Sequence, residues 1–349
     1  MTYKLYYTLD YEIHGNGDGN PMPLMVEPTY RLMDMLEKYN QQLTIMADVA
    51  EILCFRRYWE NSGNDDFHVR EIEQQLCDAI YRGHDVQLHI HSSYFGAEWR
   101  DGHFDQCITE YNMAALPYEH ILEMVGQCVT YLENLLRPIK SDYRVWLYRA
   151  ANWSMMPTPT LYRVLTEYGI THDTSVYKGG CQGGNVCYDY RNAHDNLLSY
   201  KASSEDINLY DANGLLTEMP IYTEMRPFWD FISPIRIFRM VRAKFHKHKN
   251  NHQKSLTATN VDKNDNRKLS LRSFFVKSPL KMDFNQVNGR GLIRMMKNIM
   301  HRAKKENLQH IDVVLIGHSK TFVPYNEKTL RPFLEWIQKN LYNKQEKLI

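Results

Sequence analysis

The sequence predicts an α/β fold built as a distorted (β/α)7-8 barrel. Three observations carry that prediction. Short apolar runs alternate with segments of helical periodicity along the chain. About seven of those runs have the length and composition of strands. Polar residues able to do chemistry gather where several of the runs end, which is where barrel enzymes build their sites.

Taken in order, residues 3–10 (YKLYYTLD) read as the first strand. Residues 28–39, with Leu32, Met35 and Leu36 at helical spacing, read as the first helix. Strand 43–49 is followed by helix 69–81, and strand 86–91, after a long loop, by helix 117–136. Strand 144–149 precedes helix 158–168, and 170–176 and 215–221 are two further strands. Helix 292–305, the hydrophobic strand 311–317 and helix 328–341 close the chain. No internal repeat interrupts the alternation. The 349 residues therefore read as one catalytic barrel domain, 1–349, carrying an insertion at about 225–290.

Charge sets that insertion apart. The whole chain holds 42 Lys+Arg and 41 Asp+Glu, a net of +1. Between Arg236 and Lys305 there are 19 basic and 3 acidic residues, so the remainder is net −15. A protein basic throughout is excluded, no nucleic-acid motif accompanies the block, and no nucleic-acid partner is expected. Arg236, Arg239 and Arg242 lie three apart, with Ile235, Phe238 and Val241 on a neighbouring face. That pattern predicts a basic amphipathic helix, with 228–250 touching an anionic membrane surface. A solvated insertion packed on the chain's own acidic exterior is the competing reading. Residues 245–266 are polar and Asn/Lys-rich, and read as a loop.

The N-terminal MTYKLYYTLDYE has no charged region leading into an apolar one, and no run of about 18 apolar residues occurs. Six scattered cysteines form no CxxC pair and read as free thiols in a reducing compartment. The expected location is cytoplasmic, or peripheral at the inner face of the membrane. Lys178–Asn185 is glycine-rich but lacks a following Gly-Lys-Ser/Thr, so it is a loop near the site mouth and not a phosphate loop.

The chemistry begins at the first strand's end, Thr8-Leu9-Asp10-Tyr11-Glu12. Residues two apart in a strand share a face, so Thr8, Asp10 and Glu12 point one way. Two carboxylates side by side repel unless something positive lies between them. In Val86-Gln87-Leu88-His89-Ile90-His91 the alternation leaves His89 and His91 together on the polar face. A His-x-His pair at a strand end offers two imidazoles to one ion. Two histidines and one carboxylate suit a hydrolytic zinc site, or a ferrous or cobalt site. The second carboxylate is then available as a general base. Arg149, at another strand end, is able to clamp a carboxylate. The strand 311–317 delivers His318 at its end, an acid/base signal.

In this order the segments resemble the polysaccharide deacetylases, the NodB-homology group of carbohydrate esterase family 4. The carriers are Asp10-Tyr11-Glu12, Gly83-His84-Asp85-Val86-Gln87-Leu88-His89, Tyr148-Arg149-Ala150, Asp173-Thr174-Ser175-Val176 and Leu315-Ile316-Gly317-His318. The family pattern has two histidines four apart, whereas Ser93 stands four after His89 and His91 is the nearby imidazole. The second acid is Glu12 at a spacing of two, in place of an adjacent Asp. The chain thus resembles a divergent branch, of the kind found in bacterial O-antigen and surface-polysaccharide synthesis.

The resemblance implies metal-dependent removal of an N- or O-linked acetyl group from a carbohydrate; the membrane contact expected of the basic segment would suit a lipid-linked form of that substrate. By analogy Asp10 is the base, oriented by Arg149; Glu12, His89 and His91 hold a divalent ion, expected to be zinc; and His318 protonates the leaving group. Trp153, Trp99 and Tyr94 are candidates to stack on a sugar ring. Two other readings stay open: a degraded barrel that binds glycan without hydrolysing it, and a metal hydrolase of another amide or ester.

Overall fold

The computed structural model describes residues 1–227, 230 and 277–342. The basic amphipathic helix expected at 235–245 and the membrane contact expected through 228–250 lie almost wholly outside the described residues.

The strands in chain order are β1 (Thr2–Tyr11), β2 (Leu43–Asp48), β3 (Asp85–Ile90), β4 (Glu98–Arg100), β5 (His103–Asp105), β6 (Leu147–Ala150) and β7 (His172–Asp173). They continue with β8 (Cys181–Gln182), β9 (Tyr188–Asp189), β10 (Tyr200–Lys201), β11 (Thr217–Glu218), β12 (Thr223–Arg226), β13 (Ser278–Lys281) and β14 (His310–His318). The helices are α1 (Glu27–Glu37), α2 (Val49–Ser62), α3 (Val69–Tyr81), α4 (Tyr118–Leu136), α5 (Thr158–Glu167), α6 (Gly289–Lys305) and α7 (Pro324–Ile337).

The main sheet runs β10-β11-β7-β6-β3-β2-β1-β14, parallel throughout except for the antiparallel edge strand β10. It is curled so that the chain just past β11 reaches β14. Beyond β11 the chain reaches Ile221, which bridges in parallel to Val314 of β14, and the Tyr222 amide donates to the Val314 carbonyl at 3.1 Å. Residues 282–284 continue along the same edge, where Asp283 bridges to Ile316. The fold is a distorted β/α barrel on this eight-stranded curled sheet, its β14 edge joined by these few contacts to the segments around Ile221 and Asp283.

Burial on both faces follows from closure. Every residue of β2 is buried, as expected of a parallel strand covered by helices outside and filled by side chains inside. Val69–Tyr81 is helical as its periodicity predicts, burying Val69, Ile72, Leu76, Ala79 and Ile80 on one stripe. Expected strands 170–176 and 215–221 are regular only over His172–Asp173 and Thr217–Glu218, because this side of the barrel pairs irregularly. Helix α2 has no counterpart in the sequence reading, although Asp48 caps it by accepting from the Glu51 amide and Gly63 ends it at φ +75°. The six cysteines form no disulfide. Among the described residues no helix is long and apolar enough to cross a membrane.

Glu218 of β11 stands in register beside Asp173 of β7, and both carboxyls are wholly buried. Burial, reinforced for Glu218 by the neighbouring Asp173, raises both above the ordinary carboxylate range. A carboxyl whose folded value is raised stabilises fully below its unfolded value, and that contribution is lost as pH rises through the folded one. Stability in urea is therefore expected to decline from acid toward neutral pH on account of this pair. Glu218→Gln should flatten that slope, and an unchanged slope in the variant would exclude the pair as its source.

Candidate active site

Arg149 shows best how the curled sheet makes a site. It lies on β6, and Asp10 lies on β1, with β3 and β2 between them. Strands sit about 4.8 Å apart, so a flat sheet would hold the two roughly 14 Å from each other. Instead the Arg149 Nη1 donates to Asp10 Oδ1 at 2.6 Å, across the barrel interior. Its Nη2 donates to Thr8 Oγ1 at 2.7 Å and its Nε to the Thr174 carbonyl at 3.0 Å. No part of Arg149 is exposed. Burial by itself would raise the Asp10 carboxyl; the Arg149 guanidinium, then His318 and His89, outweigh it and leave Asp10 below the usual aspartate range. Asp10 is thus held as a carboxylate.

His318 stands in register beside Asp10, with its Nε2 3.4 Å from Asp10 Oδ2. Burial lowers its pKa, Lys320 adds to that, and Asp10 opposes it, so the net direction is toward neutral imidazole. Its backbone is clamped by Asn285, whose Oδ1 accepts from the His318 amide at 2.8 Å and whose Nδ2 donates to the His318 carbonyl at 3.3 Å. Gly317 permits this approach. A Cβ there would lie 2.1 Å from the Phe284 ring and 2.4 Å from Asn285 Oδ1.

Beside this group, Glu12, His89 and His91 bring one ligand atom each within 4.8 Å of one another, all three residues buried. Glu12 Oε2 lies 2.7 Å from His91 Nε2 and 3.7 Å from His89 Nε2. His89 Nδ1 is 2.8 Å from the Arg149 carbonyl. A carbonyl only accepts, so Nδ1 carries a proton, and Nε2 is the ring nitrogen that faces Glu12. The His91 amide donates to Asp48 Oδ1 at 3.0 Å, which fixes the chain just past β3. Without an ion, burial disfavours the His89 cation, but its hydrogen bond to Glu12 and the charge of Asp10 lift it to about 9.

This donor set fits a divalent cation. Two imidazole nitrogens and one carboxylate oxygen converge just past the ends of β1 and β3, and three ligands would leave further positions on an ion open. Asp48 Oδ2 is buried with no hydrogen-bond partner among the described residues, and Glu51 adds a second buried acid close by. Burial raises both, Asp48 against the pull of His91 and His89, Glu51 with the push of Asp48. An acid-rich, desolvated cluster of this kind is stabilised by a positive ion.

Of the residues singled out in the sequence, the structure brings together Asp10, Glu12, His89, His91, Arg149 and His318. Trp153 borders them, its ring 6.1 Å edge-on from His318. Tyr94 is 2 % exposed, its ring packs edge-on against Phe104, and its hydroxyl lies by the buried acids Glu51 and Asp48. Trp99 likewise packs against Tyr58, Phe67 and Phe104. Ser93, at the spacing where the resembled family has its second histidine, donates to Gln106 Oε1 at 2.7 Å, and His91 is the imidazole that meets Glu12. Sequence reasoning missed Lys320, whose Nζ donates to Glu12 Oε1 at 2.7 Å and to the Ile13 carbonyl at 3.0 Å. It also missed Asp48. Both carried a signal, since Asp48 ends a strand as Asp10 does and Lys320 lies two past His318.

No family model and no curated protein matches the chain. Among solved structures it is similar to a GH57 branching enzyme of Thermococcus kodakaraensis bound to glucose, at 8% identity and TM-score 0.48 over 96% of this chain and 68% of that one. It is similar also to the catalytic domain of a peptidoglycan N-acetylglucosamine deacetylase of Eubacterium rectale, at 11% identity and TM-score 0.38 over 97% and 85%. A family 4 carbohydrate esterase of Streptomyces lividans in complex with acetate matches at 14% identity and TM-score 0.29 over 49% and 60%. At such identities and scores the chemistry has to be read from this chain's own residues.

Proposed function

We propose that the protein is a metal-dependent deacetylase acting on an N- or O-acetylated sugar, of the kind used in surface-polysaccharide synthesis. The observation that carries the reading is the Glu12–His89–His91 cluster standing next to a carboxylate, Asp10, that Arg149 keeps ionised. The pathway rests on the motif resemblance alone.

Glu12, His89 and His91 would hold the ion, which supplies polarisation of a carbonyl and acidification of water when bound. Asp10 accepts the proton of the attacking water, whose oxygen forms a bond to the acetyl carbon. The bond from that carbon to the sugar nitrogen or oxygen breaks, and acetate leaves. His318, 3.4 Å from Asp10, is placed to pass the proton to the departing amine or alkoxide. Arg149 orients Asp10 and touches no substrate. Lys320 holds one oxygen of Glu12, so that the other faces the histidines.

Acetate release from a panel of acetylated sugars by the zinc-loaded protein tests this. Asp10→Asn keeps the shape of the side chain and removes its basicity, so release should fall by about 10²–10⁴-fold with metal content unchanged. Release undiminished in that variant would sink the assignment of Asp10. Stoichiometric metal without release from any sugar would favour the binding-only reading.

A further inference from the structure

Helix α6 carries six basic residues and no acid over Gly289–Lys305. One stripe of it, with Leu292, Met295, Met296, Ile299 and Ala303, is buried. Opposite that stripe Arg290, Arg294, Lys297, His301 and Lys304 are all exposed. They follow one another at steps of four and three, so they form one row along the outer face. At 1.5 Å per residue the row is about 21 Å long. Arg302 is turned out of it, toward Asp195 at 2.6 Å and Glu306 at 3.0 Å.

Such a row does nothing for the helix itself. Like charges four apart repel, whereas opposite charges at that spacing support a helix. Three other helices of the chain use the supporting arrangement. Arg56 pairs with Glu60, Glu133 with Arg137 and Arg163 with Glu167, each four apart. From the α6 row, Arg294 pairs with Asp230 at 3.1 Å, and no acid within the helix offsets the rest.

Helix α7 widens the basic face. The two helices touch at Gly289, where a Cβ would lie 2.4 Å from the Thr329 carbonyl oxygen. That contact brings Lys328 and Arg331, both exposed, to the Arg290 end of the row. Of the two acids in α7, Glu327 is held by Arg31 at 2.8 Å, and Glu335 lies further along, exposed. Packed helices lie about 8–10 Å apart, so the cations cover a face two helices across and not a single-file track. The face also meets the candidate site. Asn285, four residues before α6, bonds to the amide and the carbonyl of His318. The Arg290 end therefore lies at the rim of the site, and the row runs from there down the side of the barrel, toward the start of β14.

We propose that α6 and α7 form a docking face for an anionic lipid surface, which holds the barrel on its side with the rim of the site against the headgroups. Charge complementarity names the partner. A bilayer of anionic lipid presents negative charge in a plane, as a two-helix face requires, and it repels a remainder that is net −15 outside 236–305. The face is separate from the 228–250 segment that the sequence singled out, and docking through it holds whichever reaction the site performs.

Flotation of the full-length protein tests this, with vesicles of phosphatidylcholine alone and vesicles containing one-third phosphatidylglycerol. Wild type should float with the anionic vesicles only, and high salt should release it. Arg290→Gln/Lys297→Gln/Lys304→Gln keeps good helix formers at exposed positions, so the fold stays intact. It should lower partitioning by about a hundredfold, near fivefold for each cation removed. Lys140→Gln/Arg144→Gln/Lys201→Gln removes the same charge from exposed positions elsewhere and should stay close to wild type. A wild type that does not float with anionic vesicles overturns the proposal. So does an α6 variant that floats like wild type, or a control variant that loses as much. Retention on immobilised heparin that needs the α6 cations, without flotation, would replace the lipid surface by an anionic polysaccharide.

Discussion

Replacing His89 and His91 together by alanine is expected to leave the protein folded but without stoichiometric divalent metal and without acetate release. The geometry gives both halves of that expectation. Two of the three converging ligand atoms are removed, and a single carboxylate is no site for a hydrolytic ion. The remaining Glu12 is not stranded, because Lys320 still donates to its Oε1 at 2.7 Å. A buried carboxylate that keeps its cation avoids the large penalty of an unpaired buried charge. Metal analysis after dialysis and thermal unfolding with added zinc check the result. An ion present at a hundred times its dissociation constant stabilises the protein that binds it by about 2.7 kcal/mol. That upward shift in unfolding temperature should appear in wild type and be absent from the double variant. Stoichiometric metal in the variant would show that the ion is held elsewhere.

Arg149→Met should have the largest effect on stability. The guanidinium is wholly buried and bonds to Asp10, Thr8 and the Thr174 carbonyl. Methionine fills much of the volume and satisfies none of these groups. Breaking a buried pair by removing one partner costs about 3–5 kcal/mol, a large share of the 5–15 kcal/mol typical of a domain. The pH dependence has a definite sign. The folded Asp10 lies below the ordinary aspartate value, so its contribution is full above that value and fades as pH falls through the lowered one. In Arg149→Met the guanidinium no longer opposes burial and the carboxyl moves up, so the acid-side loss of stability that Asp10 contributes shrinks. Urea denaturation from acid to neutral pH measures both effects. A loss under 1 kcal/mol would mean that Arg149 is not the cation that keeps Asp10 ionised.

The site and the fold were legible in the sequence to different depths. Strand-end residues Asp10, His89, Arg149 and His318 stand out because a parallel barrel exposes chemistry only where its strands stop. The alternation of β3 separates Val86, Leu88 and Ile90 from His89 and His91 by chemistry alone. Helix α2 was hidden by its composition: Arg56, Arg57 and Glu60 interrupt the apolar stripe, although Asp48 and Glu51 mark its start. Tyr94 and Trp153 both follow strand ends and look alike in sequence. Packing against Phe104 takes Tyr94 into the core, while a left-handed turn carries Trp153 to His318.

By itself the sequence determined the parallel α/β alternation, the faces on which the acids and histidines lie, and the split between an acidic barrel and a basic segment. These are properties of residue spacing and count, and need no partner. The tertiary structure decided which of those groups meet. Closure of the sheet placed Arg149 against Asp10 across two intervening strands, put Lys320 on Glu12, and set Lys281 over Trp153. Such contacts join residues up to 308 positions apart. No local periodicity encodes them, because the distance between two strand ends is set by how far the sheet curls.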